Sequence, residues 1–65
     1  MITNCLFTIR KEQNMTQEEL ASACGVTRQT IIAIEKGNYT PSVALALRLA
    51  HTLHTTVEDL FFYEK

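Results

Sequence analysis

Apolar residues recur at helical spacing along most of this chain, and capping and turn residues divide them into five segments. Between Asn4 and Gln13, Leu6 and Ile9 with Phe7 supply an apolar side, while Thr8, Lys11 and Glu12 are polar. Asn4 suits the start of that segment and Asn14 its end. Thr16-Gln17-Glu18-Glu19 opens a second helix with the capping-box pattern, and Met15 and Leu20 bracket it as a hydrophobic staple. Leu20, Ala21 and Cys24 face inward by spacing, and Gly25 ends the helix where a positive φ is easy. Thr27 caps a third helix over Arg28 to Lys36, with Ile31 and Ile34 on one face. Gly37 and Asn38 stop it.

Thr40-Pro41-Ser42 begins a fourth helix, with Pro41 or Ser42 in its first turn. Val43, Leu45, Ala46, Leu47, Leu49, Ala50 and Leu53 surround much of its circumference, which predicts the central and most buried helix. Thr56-Val57-Glu58-Asp59 opens a short fifth helix that ends in Leu60-Phe61-Phe62-Tyr63. So aromatic a tail suits a strand, and Met1-Ile2-Thr3 can meet it as an antiparallel β-ribbon. The expected fold class is all-α: a five-helix orthogonal bundle occupying residues 1–65 as one domain, with the ribbon as an optional addition.

With 65 residues, the chain has room for one small domain whose core is marginal, because so short a chain buries only about 60% of its unfolded surface. Efficient helix packing, a disulfide, a metal or a partner subunit is then needed. Cys5 and Cys24 form no CxxC pair and read as small reduced hydrophobes. No apolar run approaches the roughly 18 residues that span a membrane. Met1 to Cys5 lacks the basic and apolar regions of a signal peptide, so a cytoplasmic location and no membrane partner are expected. The formal net charge of −1 argues against a broad basic patch, and nucleic-acid binding would have to rest on where the cations stand. His51 and His54 lie three apart on the fourth helix, but no Cys or carboxylate cluster accompanies them, so no metal site is expected. Nothing resembles a nucleophile with its base and an orienting group, which argues against an enzyme. No cofactor and no small-molecule effector are indicated.

The stretch from 17 to 36 carries the functional signal. Two helices joined by a tight glycine-containing turn form a helix-turn-helix unit, and the packing demands on it are strict. Leu20 and Cys24 must meet Ile31 and Ile34, Ala21 must be small, Gly25 must allow the turn and Val26 must plug the corner. All are satisfied. The chain resembles the Cro and lambda-repressor-like helix-turn-helix family through Met15-Thr16-Gln17-Glu18-Glu19-Leu20-Ala21, Gly25-Val26-Thr27-Arg28-Gln29-Thr30-Ile31, Ile34-Glu35-Lys36-Gly37 and Tyr39-Thr40-Pro41-Ser42. The likeness continues through Leu45-Ala46-Leu47-Arg48-Leu49-Ala50 and Val57-Glu58-Asp59-Leu60-Phe61. It is most similar to the short single-domain bacterial members of the cytolysin-operon repressor type. That resemblance implies a lambda-repressor-like fold, double-stranded DNA as partner and a homodimer.

A recognition helix reads base edges with its N-terminal residues. Thr27, Arg28, Gln29 and Thr30 occupy that end. Arg28 suits a bidentate contact to guanine and Gln29 one to adenine. Ile32, Ala33 and Lys36 point outward because Ile31 and Ile34 point inward. Ile32 would meet a thymine methyl group, or is an unremarkable surface residue. Ala33 joins the base-reading set, while Thr27, Thr30 and Lys36 face the backbone. Gln17 sits where a helix N-terminus favours a phosphate. By resemblance, Asn38 and Tyr39 also touch the backbone, the alternative for Tyr39 being packing against the fourth helix. The resemblance further implies a partly buried structural ion pair between Arg10 and Glu35. Val57, Leu60, Phe61 and Tyr63 are interface candidates for the homodimer, unless Leu60 and Phe61 simply close the monomer core. The resulting expectation is a transcriptional regulator, a repressor on a pseudo-palindromic operator. Its rival is an antitoxin or accessory protein-interaction module, which would have no need of Arg28, Gln29 and an outward isoleucine.

Overall fold

The computed structural model describes residues 1–65 and runs in the order β1 (Ile2–Asn4), α1 (Leu6–Glu12), α2 (Gln17–Cys24), α3 (Arg28–Glu35), α4 (Val43–Thr52), α5 (Val57–Leu60) and β2 (Phe61–Tyr63). Five helices and a two-stranded antiparallel ribbon make up the fold, as the sequence pattern led one to expect. The ribbon pairs Ile2 with Tyr63, Thr3 with Phe62 and Asn4 with Phe61. It lies one residue further along the N-terminal segment than the pattern suggested.

Local chemistry explains most helix boundaries. Thr16 accepts from the Glu19 backbone N–H at 3.0 Å, and the Glu19 carboxylate accepts from the Thr16 N–H at 2.8 Å, completing the capping box. The Thr16 backbone N–H, and after it the Thr16 side-chain hydroxyl, hydrogen-bond the Glu19 carboxylate and hold it below its ordinary pKa. Gly25 closes α2 at φ 72°, a left-handed conformation that costs a side-chain-bearing residue energy. Asn14 takes a similar conformation at φ 57° after α1, one that its short polar side chain tolerates. Thr27, Ser42 and Thr56 cap α3, α4 and α5 through their hydroxyls. Pro41 therefore lies outside α4, because the Ser42 hydroxyl takes the Leu45 N–H and makes Val43 the first helical residue.

The core joins Leu6, Leu20, Ala21, Cys24, Ile31, Ile34, Leu45, Leu49, Ala50, Leu53 and Leu60. α2 and α3 bury the stripes that their spacing assigned to the interior. α4 departs from expectation. Its buried arc runs over Leu45, Ala46, Leu49 and Ala50, while Val43 is 77% and Leu47 57% exposed. These two residues stand one turn apart on a face that the rest of the chain does not cover. Phe7 is likewise turned outward on α1 and stacks against the Arg10 guanidinium, 5.3 Å from the ring centroid. Both cysteines are free thiols; Cys24 is buried, whereas Cys5 is only half-buried and donates from Sγ to the Asp59 carbonyl at 3.2 Å. His51 is exposed in the last turn of α4, but His54 lies beyond the helix in a left-handed turn at φ 56°, so the two histidines do not share a helix face as their spacing suggests. No helix is long and apolar enough to cross a membrane.

Candidate nucleic-acid interface

α3 presents two stripes away from the core. Arg28, Ile32 and Lys36 follow one another at four-residue spacing, and Gln29 and Ala33 lie beside them. Arg28, Gln29 and Lys36 are exposed, whereas Ile32 and Ala33 are half-buried. Ile32 is thus less exposed than its spacing suggested, since neighbouring side chains shade part of it. Its remaining surface still lies between Arg28 and Lys36. At the start of the helix, Thr27 accepts from the Thr30 N–H at 3.3 Å, and the two hydroxyls stand 3.1 Å apart. Thr30 is half-buried, so its hydroxyl is engaged within the cap. Asn38 and Tyr39 are exposed beyond the far end, and Tyr39 is 47% accessible rather than packed away against α4.

The opposite end of α3 is firmly held. Arg10 is 5% exposed. It donates from Nε to Glu35 Oε2 at 2.6 Å and from Nη2 to Oε1 at 3.3 Å. A third bond runs from its Nη1 to the Met15 carbonyl at 2.8 Å. Gln17 Nε2 donates to Glu35 Oε1 at 3.0 Å. Gln17 is therefore an anchored residue with one amide hydrogen still free, at the N-terminus of α2. Asn4 Nδ2 donates to the Ile34 carbonyl at 2.9 Å. Side chains from β1, α1 and α2 thus converge on the last turn of α3.

A recess between the end of α1 and the starts of α2 and α3 is lined by Lys11, Asn14, Gln17, Glu18 and Arg28, among others. Lys11 was missed as a candidate. It stands on a helix whose functional face the sequence pattern does not mark, and only the fold brings it beside Arg28. One carboxylate, Glu18, faces the same recess and tempers the field, whereas Glu19 is folded back into its cap.

The proposed interface residues divide. Leu60 is fully buried in the monomer core, so it has no surface to offer a partner, and its place among the interface candidates is withdrawn. Val57 and Phe61 are half-buried and Tyr63 is exposed. Val57 and Phe61, with Ile2, Pro41, Val43 and Leu47, line an open apolar groove of about 400 Å³. The α4 residues were read as core because hydrophobicity at helical spacing marks a buried surface without saying which molecule buries it.

A family model described as helix-turn-helix matches residues 6–60. A protein of Methanocaldococcus jannaschii named as an HTH-type transcriptional regulator is 52% identical over 61 residues, covering 94% of this chain and 92% of that protein. One of Methanothermobacter thermautotrophicus with the same designation is 56% identical over 57 residues, covering 86% of this chain and 83% of that one. Among solved structures, the restriction-modification controller protein C.AhdI from Aeromonas hydrophila has a TM-score of 0.78 at 28% identity, over 83% of this chain and 82% of that chain.

Proposed function

The chain belongs to the helix-turn-helix family of non-enzymatic DNA-binding transcriptional regulators, and on that footing we propose that it is a repressor that binds a pseudo-palindromic operator as a homodimer. The observation that carries the reading is the outward face of α3. Arg28 and Gln29 stand exposed at a capped helix start, with the side-chain chemistry that reads guanine and adenine in the major groove. Ile32 and Ala33 supply an apolar surface for a thymine methyl, and Lys36, Lys11 and the free Gln17 amide hydrogen are placed for phosphates. Thr27, Asn38 and Tyr39 extend that backbone contact. The Thr27 and Thr30 hydroxyls share one hydrogen bond at 3.1 Å, which leaves one hydroxyl hydrogen of the pair to donate to that backbone.

The homodimer is supported by the apolar groove. Ile2, Val43, Leu47, Val57 and Phe61 line one apolar surface that a chain of this size has little reason to leave in water, and exposed Tyr63 on β2 is proposed to extend the contact. On a pseudo-palindromic operator, such a dimer has to present its two recognition helices about 34 Å apart, one turn of DNA.

Selection of bound sequences from a random duplex pool tests the reading. A two-fold symmetric consensus is expected. Two phosphate-facing cations per protomer (Lys11 and Lys36) give a slope of log affinity against log salt of about −2 per protomer. Absence of any sequence preference at low salt would overturn the proposal. If instead a different protein is the partner of the apolar groove, the isolated chain sediments as a monomer.

A further inference from the structure

Asn4 is not the N-cap of α1 that its sequence position suggests, since Cys5 takes that place without a side-chain bond; from one residue earlier its side chain makes two bonds. Its Oδ1 accepts from the Leu6 N–H at 3.0 Å, at the start of α1. Its Nδ2 donates to the Ile34 carbonyl, thirty positions along the chain, at 2.9 Å. A donor faces one end of the amide and an acceptor the other, so the amide fits in only one orientation. The Ile34 carbonyl does not need this bond to avoid being orphaned, because the Gly37 N–H already reaches it at 3.0 Å. A carbonyl oxygen accepts two bonds, and what the second adds is a fixed position for the last turn of α3. Asn4 is also the ribbon residue that pairs with Phe61, and Phe61 lines the apolar groove together with Ile2, Val43 and Leu47. A single side chain thus stands between the groove and the backbone of the recognition helix. The other two holds on that end, from Arg10 and Gln17, grip the Glu35 side chain and arise from α1 and α2, away from the groove.

We propose that Asn4 is a positioning residue that fixes the attitude of α3 relative to the dimer face and thereby sets the half-site spacing that the dimer accepts. The proposal rests on the homodimer reading above. Displacing one half-site by one base pair moves it about 3.4 Å and rotates it by about 35°. A rigid connection penalises that displacement, and a loosened one tolerates it.

The test uses the full chain and a series of duplexes whose two half-sites are separated by the optimal spacing or by one base pair more or less. Asn4→Asp keeps the acceptor for Leu6 and loses the donor to Ile34. Asn4→Ala loses both. The expected result is that each variant reduces the discrimination between optimal and shifted spacing by about threefold or more. Affinity for a single half-site and the dimer dissociation constant should stay within about twofold of the unsubstituted protein. A residue needed only for stability would lower the melting temperature and leave the spacing preference sharp. That outcome overturns the proposal, and Asn4→Asp decides it if Asn4→Ala fails to fold. No spacing optimum in the unsubstituted protein would overturn the homodimer reading as well, whereas a sharp optimum retained in both variants removes Asn4 alone.

Discussion

Replacing Arg10 by alanine removes three hydrogen bonds and a cation from a site that water barely reaches. Glu35, whose side chain is 7% exposed, would keep only the Gln17 amide, 3.0 Å from Oε1. The Met15 carbonyl would lose its Arg10 donor, and Phe7 the guanidinium stacked on it. Breaking a buried pair from one side costs roughly 3–5 kcal/mol, since it strands an uncompensated charge. The retained Gln17 bond and access of water to the alanine site argue for the lower end, about 3 kcal/mol. Domains of this size hold only about 3–10 kcal/mol in total, and 1 kcal/mol moves their melting point by roughly 4–8 °C. A fall of about 12–24 °C is therefore expected. Thermal unfolding followed by circular dichroism measures it, at one fixed protein concentration because the proposed self-association would also contribute to stability. The double variant Arg10→Ala with Glu35→Gln should recover part of the loss, as no charge is then stranded. A melting point within about 2 °C of the unsubstituted protein would show that the pair is solvated in solution and that the reasoning from burial is wrong.

Arg28→Ala should relax sequence preference at one operator position by about 1–3 kcal/mol without changing the melting point, read from selected-sequence profiles; a uniform loss across all sequences would reassign Arg28 to the backbone. Leu47→Glu should weaken self-association in sedimentation equilibrium while monomer stability stays within about 0.5 kcal/mol, Leu47 being largely exposed; an unchanged dissociation constant removes α4 from the interface. The Glu19 carboxyl is held below its ordinary pKa by the Thr16 backbone N–H and then by the Thr16 side chain, so its contribution to stability is present above about pH 4.5 and is lost as pH falls through the lowered folded value. Glu19→Gln should therefore remove that part of the acid sensitivity in denaturation titrations, and an unaltered pH profile would show that the cap does not depend on charge.

Much of the fold was legible because its boundaries are set by local chemistry. Thr16 with Glu19, Gly25 and Thr27 act on groups within a few residues of themselves, so the sequence displays both partners. Ile31 and Ile34 were legible for a related reason: helical spacing forces both to the same side. What escaped depends on contacts between distant parts of the chain. Asn4 reads as a helix cap, yet half of its hydrogen bonding is spent on Ile34. Lys11 acquires a role only when α1 is laid beside the start of α3. Val43 and Leu47 are as apolar as their buried neighbours, and the difference between them lies in which face of α4 the other helices leave open. Leu60 and Phe61 are adjacent and similar in hydrophobicity, but the change from helix to strand between them turns one into the core and the other toward the groove.

The ribbon also has a consequence for the order in which the protein is assembled. Helices and the contacts between neighbouring helices close short loops, which is fast. Joining β1 to β2 closes a loop of nearly the whole chain, and the entropic cost is recovered only when the bundle between them is already in place. The ribbon is therefore the last element to form. Ile2 and Phe61 reach the groove only through it, so a chain still folding carries the recognition helix but lacks a complete association surface. During synthesis the N-terminal strand must wait until residues 61–63 have left the ribosome. On the proposed homodimer reading, pairing with a second copy would in this way be deferred until each chain has finished folding, and half-made molecules would be kept from combining with finished ones.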